Sequence, residues 1–351
     1  MSGAEAYRVE SYTKAELLRS HEIYDDLVSI VSAFEFLFTE VGSLVPTVNH
    51  FDRYPSVKHT FDKKSTTPDF SVVFNDGVGL AGEIARFPVH ENGVDKLCSQ
   101  IQRYDTLGAL PGAAGSPVEV PQGVDVLLIV PFSLGTAAVK RILRDRLLAD
   151  DHPYAPNRTP CIVQYTKDSE RYTFQRINDP ANGRLRETNR LEGLGAWLEA
   201  DNVPVRADRF QQIKAAKRFG NDPIDPLYLA AHLWVTEFAE LSQEQPRIGR
   251  YVSLVVDTPA IANRLRTRYG KGGKKDVDRA MEILGAAQLA TRLDGSKWRV
   301  AWGELSRRNH IDSLLEVIAE RAESRPKSGP VSAMLKTERE SRGKSEQTRL
   351  F

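Results

Sequence analysis

The sequence predicts an α/β protein: a mixed sheet flanked by helices, followed by a mainly helical second unit. Three observations carry this expectation. Over the first half, apolar residues switch between helical spacing and short strand-like runs, in the order helix, strands, helix, strand, helix. Over the second half the order changes to helix, helix, helix and hairpin. The chain has 351 residues, enough to bury two cores of ordinary size.

The elements follow in order. Leu27, Ile30, Val31, Phe34, Phe38 and Val41 recur at helical spacing, which predicts a helix over 20–42 with Gly42 as its stop. An extended stretch covers 44–61. Residues 70–74 (FSVVF) form a strand, NDGVG turns, and 80–87 return as a second strand. A helix over 93–107 precedes the loop GALPGAAGSPVEVPQG. The continuous apolar run over 124–130 suits a strand buried on both faces. A helix over 134–149 and short strands near CIVQY and RYTFQRI complete the first half.

In the second half, DPLYLAAHLWVTEFAEL reads as one amphipathic helix. TPAIANRLRTRYG reads as another, with Thr258 as N-cap, Pro259 in the first turn and Gly270 at the end. KKDVDRAMEILGAAQL is a third helix, and LATRLDGSKWRVAW is a hairpin with Asp-Gly at its tip. A closing helix spans 303–323. The expected organisation is a first domain over 1–200, a linker over 201–225, a second domain over 226–323 and a disordered tail over 324–351, which is polar and charged.

Composition narrows the function classes. A net charge of +1 gives no global attraction to nucleic acid or membrane, so any such affinity must be local. Cys98 and Cys161 have no C-x-x-C spacing, which argues against a zinc scaffold and fits a reducing compartment. The N-terminal MSGAEAYRVESYTKAELL has no apolar leader, and VDVLLIVPF is too short to span a bilayer. A cytoplasmic protein with no membrane partner is expected.

The stretch STTPDFSVVFNDGVGLAGEIARF, residues 65–87, holds the chemistry. If its two strands pair across the turn, Asp69 and Glu83 become neighbours. Two adjacent carboxylates resist double ionisation, and a divalent cation relieves that cost. Mg²⁺ needs few protein carboxylates, because water and substrate phosphate fill its remaining positions. Glu35 sits at the rim of the first helix's apolar face, so it is a candidate third acid. Lys96, Gln100, Arg103 and Tyr104 recur at spacings of three and four and share one helix face. Taken singly, these residues also fit a turn aspartate and a glutamate paired with Arg86 or Arg103.

A helix with Glu35, then Pro68 and Asp69 at a strand, then Glu83 on a second strand and a helix, resembles the PD-(D/E)XK nuclease superfamily over residues 20–165. The resemblance implies a restriction-endonuclease-like fold, with Mg²⁺ or Mn²⁺ held by Asp69 and Glu83. It also implies a lysine two residues after Glu83, where this chain has Ala85. Arg86 and Lys96 are the available stand-ins, and Lys96 is the better one, because arginine stays protonated. The spacing Gln100-x-x-x-Tyr104 resembles an accessory motif of RecB-like nucleases that lies beside the active site.

Three helices and a hairpin resemble a winged helix-turn-helix, which implies DNA as a partner. Lys271, Lys274, Lys275 and Arg279 cluster around the third helix. Arg292, Lys297 and Arg299 lie on the hairpin, and Arg264, Arg266 and Arg268 on the second helix. The pattern favours phosphate contacts over base reading. The chain ends in QTRLF. Its Gln347, Leu350 and Phe351 resemble the peptide by which bacterial replication and repair proteins bind the sliding clamp. Three readings stay open on the residues: a metal-dependent DNA nuclease of repair, restriction or defence; a catalytically inactive DNA-binding adaptor; and a transcription regulator.

Overall fold

The computed structural model describes residues 13–40, 48–58, 65–85, 91–149, 151, 154, 156–168, 171–178, 203–206, 218–244, 253–302 and 311–323. The terminal QTRLF, Arg86 and Gly42 lie outside the described residues. The chain divides into two compact units, Asp26–Asp222 and Met1–Asp25 with Pro223–Phe351.

Helix α1 spans Lys14–Thr39, starting earlier than the apolar spacing indicates. Thr13 and Glu16 cap it reciprocally: the Thr13 amide donates to Glu16 Oε2 at 2.8 Å, and the Glu16 amide to Thr13 Oγ1 at 3.2 Å. A polar first turn is invisible to hydrophobic periodicity, although T-x-x-E was there to be read.

The first unit is built on a seven-stranded mixed sheet. Its strands are β1 (Val48–Arg53), β4 (Phe70–Phe74), β5 (Gly79–Ile84), β8 (Val124–Pro131), β9 (Cys161–Lys167), β10 (Arg171–Arg176) and β11 (Val203–Arg206), in the spatial order β1-β4-β5-β8-β9-β10-β11. Two small hairpins stand apart: β2 (Val57–Lys58) with β3 (Ser65–Thr66), and β6 (Ala109–Pro111) with β7 (Pro117–Glu119). The β4–β5 pair is the antiparallel hairpin expected from NDGVG. β5 and β9 both run parallel to β8, whose seven residues Val124–Val130 are all buried. Strand β11 had no clear signal in the sequence.

Alternation along the strands sorts the side chains onto two faces. Phe70, Val72 and Phe74 of β4, with Leu80 and Ile84 of β5, pack with Phe34 and Phe38 of α1. Val73, Ala81 and Ala85 join the opposite core with Val94, Ile101 and Tyr104 of α2 (Glu91–Asp105). Ile142 and Leu143, from the helix that follows β8, complete that side. Helix α3 opens as an α-helix over Gly135–Ala138 and widens to π-type bonding over Val139–Leu147, where the Leu148 amide reaches the Leu143 carbonyl at 2.8 Å.

In the second unit, α4 runs over 226–244, with a π segment at Leu233–Glu237 between Pro226–His232 and Phe238–Glu244. It is followed by β12 (Ser253–Asp257), α5 (Thr258–Tyr269), α6 (Lys274–Ala286), β13 (Ala290–Asp294), β14 (Lys297–Ala301) and α7 (Ile311–Glu323). The hairpin β13–β14 forms as expected. It also gains β12 as a third strand, in the order β12-β14-β13, which the sequence reading did not contain. The cap of α5 is Asp257 rather than Thr258, which is fully buried in the first turn, and Gly270 ends the helix at φ 71°. Val277, Met281 and Leu284 of α6 form the centre of this unit's core, with α4, α5 and α7 packed on that helix.

Candidate functional site

Asp69 stands at the head of β4 and Glu83 near the end of β5. Phe70 pairs with Gly82, and the Asp69 amide donates to the Gly82 carbonyl at 2.9 Å, so the two acids are neighbours on adjacent strands. Phe70 and Ile84, the next residue after each acid, face α1, so both acids face α2 and α3.

The backbone holds the pair closely. The Ile84 amide donates to Asp69 Oδ2 at 2.8 Å. The Tyr54 amide donates to the Asp69 carbonyl at 2.9 Å, from a left-handed turn at φ 49° that a bulky residue rarely adopts. Gly82 is required between them: a Cβ there would stand 2.2 Å from Phe70 Cε1. Its absence lets the Phe70 ring close the α1 face behind the acids.

On the acids' own face, Tyr104 donates to Glu83 Oε2 at 2.8 Å, and Gln100 Nε2 donates to the Tyr104 hydroxyl. The Gln100-x-x-x-Tyr104 pair is thus a relay onto Glu83. Burial, and after it the charge of Asp69, push the Glu83 carboxyl well above its ordinary pKa of 4.5. The bonds from Tyr104 and Gln100 pull the other way, and Asp222 adds a smaller push. Burial and the Glu83 charge push the Tyr104 phenol up as well, so it stays a donor. The resulting donor set is two adjacent carboxylates with an oriented hydroxyl beside them. It suits a small divalent ion that keeps most of its water, and it is too sparse for an all-protein cage. Among the described residues, no three Asp, Glu, His or Cys side chains form a group that could hold a metal ion.

The structure brings Asp69, Glu83, Gln100 and Tyr104 together, and leaves Glu35 elsewhere. Both Nε and Nη2 of Arg53 bind Glu35 Oε2. Arg53 lies opposite Phe70 in the ladder, on the α1 side of the sheet. Lys96 is exposed one helical turn before Gln100, and Ala85 is buried. A later segment comes near the head of β4: Asn221 Nδ2 donates to the carbonyls of Thr67 at 3.2 Å and Pro68 at 3.3 Å, and the charge of the next residue, Asp222, adds slightly to the push on Glu83. Nothing local in the sequence marks it, because only the return of the chain brings it there.

The basic residues of the second unit fall into two groups. Arg264 and Arg268 bind Glu237 at 3.1 and 3.2 Å and Glu240 at 3.0 and 2.8 Å, so both are held by acids of α4. Lys274 pairs with Asp278 at 2.9 Å, and Arg292 lies over the Trp298 ring at 5.4 Å. Lys275, Arg279, Lys297 and Arg299 are exposed, and Lys271 is half-buried. Among the described residues, no helix is long and apolar enough to cross a membrane. Comparison of the chain with protein-family models, with curated proteins and with solved structures gave no match.

Proposed function

We propose that the protein is a divalent-metal-dependent DNA nuclease of the PD-(D/E)XK kind, with a winged-helix second unit that holds DNA. The observation that carries this reading is the neighbouring pair of buried Asp69 and half-buried Glu83, with the Glu83 carboxyl pushed up by desolvation and by its neighbour. Asp69 and Glu83 hold Mg²⁺ or Mn²⁺, which supplies water activation and charge neutralisation at the phosphate. Gln100 and Tyr104 fix the Glu83 carboxylate, and Lys96 contacts a phosphate oxygen from its exposed position on α2. The element order α4, β12, α5, α6, β13, β14 supports the winged-helix reading. On that reading Lys271, Lys274, Lys275, Arg279, Lys297 and Arg299 meet the DNA backbone.

The test is cleavage of single- and double-stranded DNA by the purified chain with Mg²⁺ or Mn²⁺. Asp69→Asn should lower the rate by more than about 100-fold, the upper range for loss of a group that merely supports a metal ligand, and leave DNA binding intact. Activity unchanged by Asp69→Asn overturns the assignment. One observation favours a second reading, a DNA-binding adaptor: Ala85 is buried and apolar where the resemblance implies lysine. An adaptor binds DNA but neither binds Mn²⁺ nor cuts. We also propose Gln347, Leu350 and Phe351 as a clamp tether. It is checked by titrating a peptide over 337–351 against a bacterial sliding clamp, with Leu350→Ala and Phe351→Ala as the control.

A further inference from the structure

We propose that Phe132 is a stacking platform for an unpaired base, so that the acid pair takes single-stranded DNA, an assignment that rests on the nuclease reading above and names its substrate. Strand register puts Phe132 at the acids' end of the sheet. Glu83 pairs with Leu128 and Ile84 with Ile129 along the parallel strands β5 and β8, and the Ala85 amide donates to the Ile129 carbonyl at 2.8 Å. β8 ends at Pro131, and Phe132 opens the 3₁₀ turn Phe132–Leu134 directly beyond it. Asp69 heads β4, which runs antiparallel to β5, so it stands at this same end. Open α/β sheets take their ligands beyond the carboxyl ends of their parallel strands.

The turn is anchored, and Phe132 is left out of the anchor. Leu134 packs on the α2 side of the sheet, the face that the acids share. Gly135 lies so near β9 that a Cβ would stand 2.5 Å from Gln164 Oε1. Among the exposed large apolar residues described, Phe132 is the most open at 62 % and the one aromatic. A lone exposed apolar side chain is ordinary, but here a basic helix surface begins behind it. Thr136, Lys140 and Arg144 follow at intervals of four, all exposed. The π-type bonding of α3 over Val139–Leu147 puts more than four residues in a turn, which keeps Lys140 and Arg144 on one side. Arg146 is drawn to Asp95 at 3.0 Å, whereas no such ion pair holds Lys140 or Arg144 among the described residues. An aromatic face with cations beside it is what binds a single strand, because every base has a π-face and every nucleotide a phosphate. Inside a duplex those faces are already stacked on their neighbours. Phe132 stands four residues beyond Leu128, or about 13 Å farther along at about 3.3 Å per residue. Stacked bases of one strand lie about 3.4 Å apart, so a base on Phe132 and a phosphate at the acids belong to one strand, a few nucleotides apart.

The experiment titrates the full chain, Phe132→Ala, Phe132→Trp and Lys140→Ala with Arg144→Ala against a fluorescein-labelled oligothymidylate and against a blunt duplex of the same length. It is run across salt concentrations without divalent ion, so that nothing is cut. Position 132 is exposed, so the fold should persist. Phe132→Ala should weaken single-strand binding by about 5- to 150-fold, the range for one lost base–aromatic stack, and leave duplex binding and the salt slope unchanged. Phe132→Trp should keep the affinity. Lys140→Ala with Arg144→Ala should lower the slope of log affinity against log salt by about 1.4, near 0.7 for each lost single-strand phosphate contact. A Phe132→Ala chain that binds the single strand like the unaltered one, or that loses strand and duplex equally, overturns the platform. So does a Phe132→Ala chain whose sedimentation shows a changed oligomeric state with DNA binding intact, because a second copy of the chain then covers this surface. A chain that shows the expected losses but never cuts DNA with Mn²⁺ keeps the platform and overturns the nuclease reading. An unaltered chain that binds no DNA overturns both.

Discussion

Each unit draws a glutamate out of water, Glu237 fully and Glu83 in part, and the two are treated in opposite ways. Glu237 in α4 has no exposed surface, yet two guanidinium groups reach it, and His232 Nε2 stands 4.0 Å away. Its negative charge is matched within the fold. Glu83 has another carboxylate beside it and accepts a hydrogen bond from a phenol. A buried acid with cations on it is a structural fastening. A buried acid set next to another acid is a site that gains from an added cation. The same residue type, shielded from water in both units, therefore meets cations in one and a second carboxylate in the other.

The largest expected effect tests the fastening. Arg264→Ala with Arg268→Ala leaves the Glu237 charge buried without its guanidinium partners, which costs about 3–5 kcal/mol when a buried pair is broken. Trp234, Trp298 and Trp302 belong to this unit, so tryptophan fluorescence in a urea titration reads the loss. Adding Glu237→Gln to the double variant should restore most of it. If the double variant is as stable as the unaltered chain, the comparison collapses.

The next effect tests the support of the acid pair. Gly82→Ala forces a methyl group into the Phe70 ring, an overpacking worth about 1–3 kcal/mol. Hydrogen exchange of β4 and β5 amides should rise while that of α6 stays level. Equal protection in both would mean that the ring yields freely and Gly82 does not set the spacing of the acids.

The third concerns pH, and Glu83 and Glu240 should respond with opposite signs. The Glu83 pKa is raised in the folded chain, so its contribution is fully present below the ordinary value of 4.5 and is lost as pH rises through the raised value. One proton gives a slope of up to about 1.4 kcal/mol per pH unit. Glu83→Gln should remove that slope, and saturating Mg²⁺ should offset it in the unaltered chain. Asp105, also pushed up by burial, contributes the same sign and stays in both arms of the comparison. Glu240 is pulled down, first by its bond from Arg268, so its contribution is present above the ordinary value and lost as pH falls through the lowered one. It is partly exposed, so its own effect should be small. A Glu83→Gln chain that keeps the full alkaline loss would assign that loss to another group.

The smallest effect separates paired from exposed cations within the second unit. Lys275→Ala with Arg279→Ala should flatten the dependence of log affinity for DNA on log salt by about two, near 0.9 for each lost phosphate contact. Arg264 and Arg268, already bound to acids, should contribute little to that slope. Equal slopes for the two pairs of variants would dissolve the distinction.

How far the sequence reached is clearest at particular residues. FSVVF, the NDGVG turn and the apolar run at 124–130 specify their strands locally, since alternation, turn chemistry and continuous burial are written within a few residues. The neighbouring placement of Asp69 and Glu83 follows from that one hairpin, and Gln100 and Tyr104 share a face by helical spacing alone. The start of α1 was legible in Thr13 and Glu16, but hydrophobic periodicity passes over it. What only the tertiary structure decided are the long-range pairings. Glu35 turns to Arg53 because β1 pairs with β4 and brings a guanidinium beneath the helix. Arg264 and Arg268 turn to Glu237 and Glu240 because the fold brings one face of α5 to the acids of α4. Asn221 reaches the carbonyls of Thr67 and Pro68, just before Asp69, because a much later segment of the chain returns there. Each depends on how distant segments meet, and a charged side chain carries no local mark of the partner that packing will bring to it.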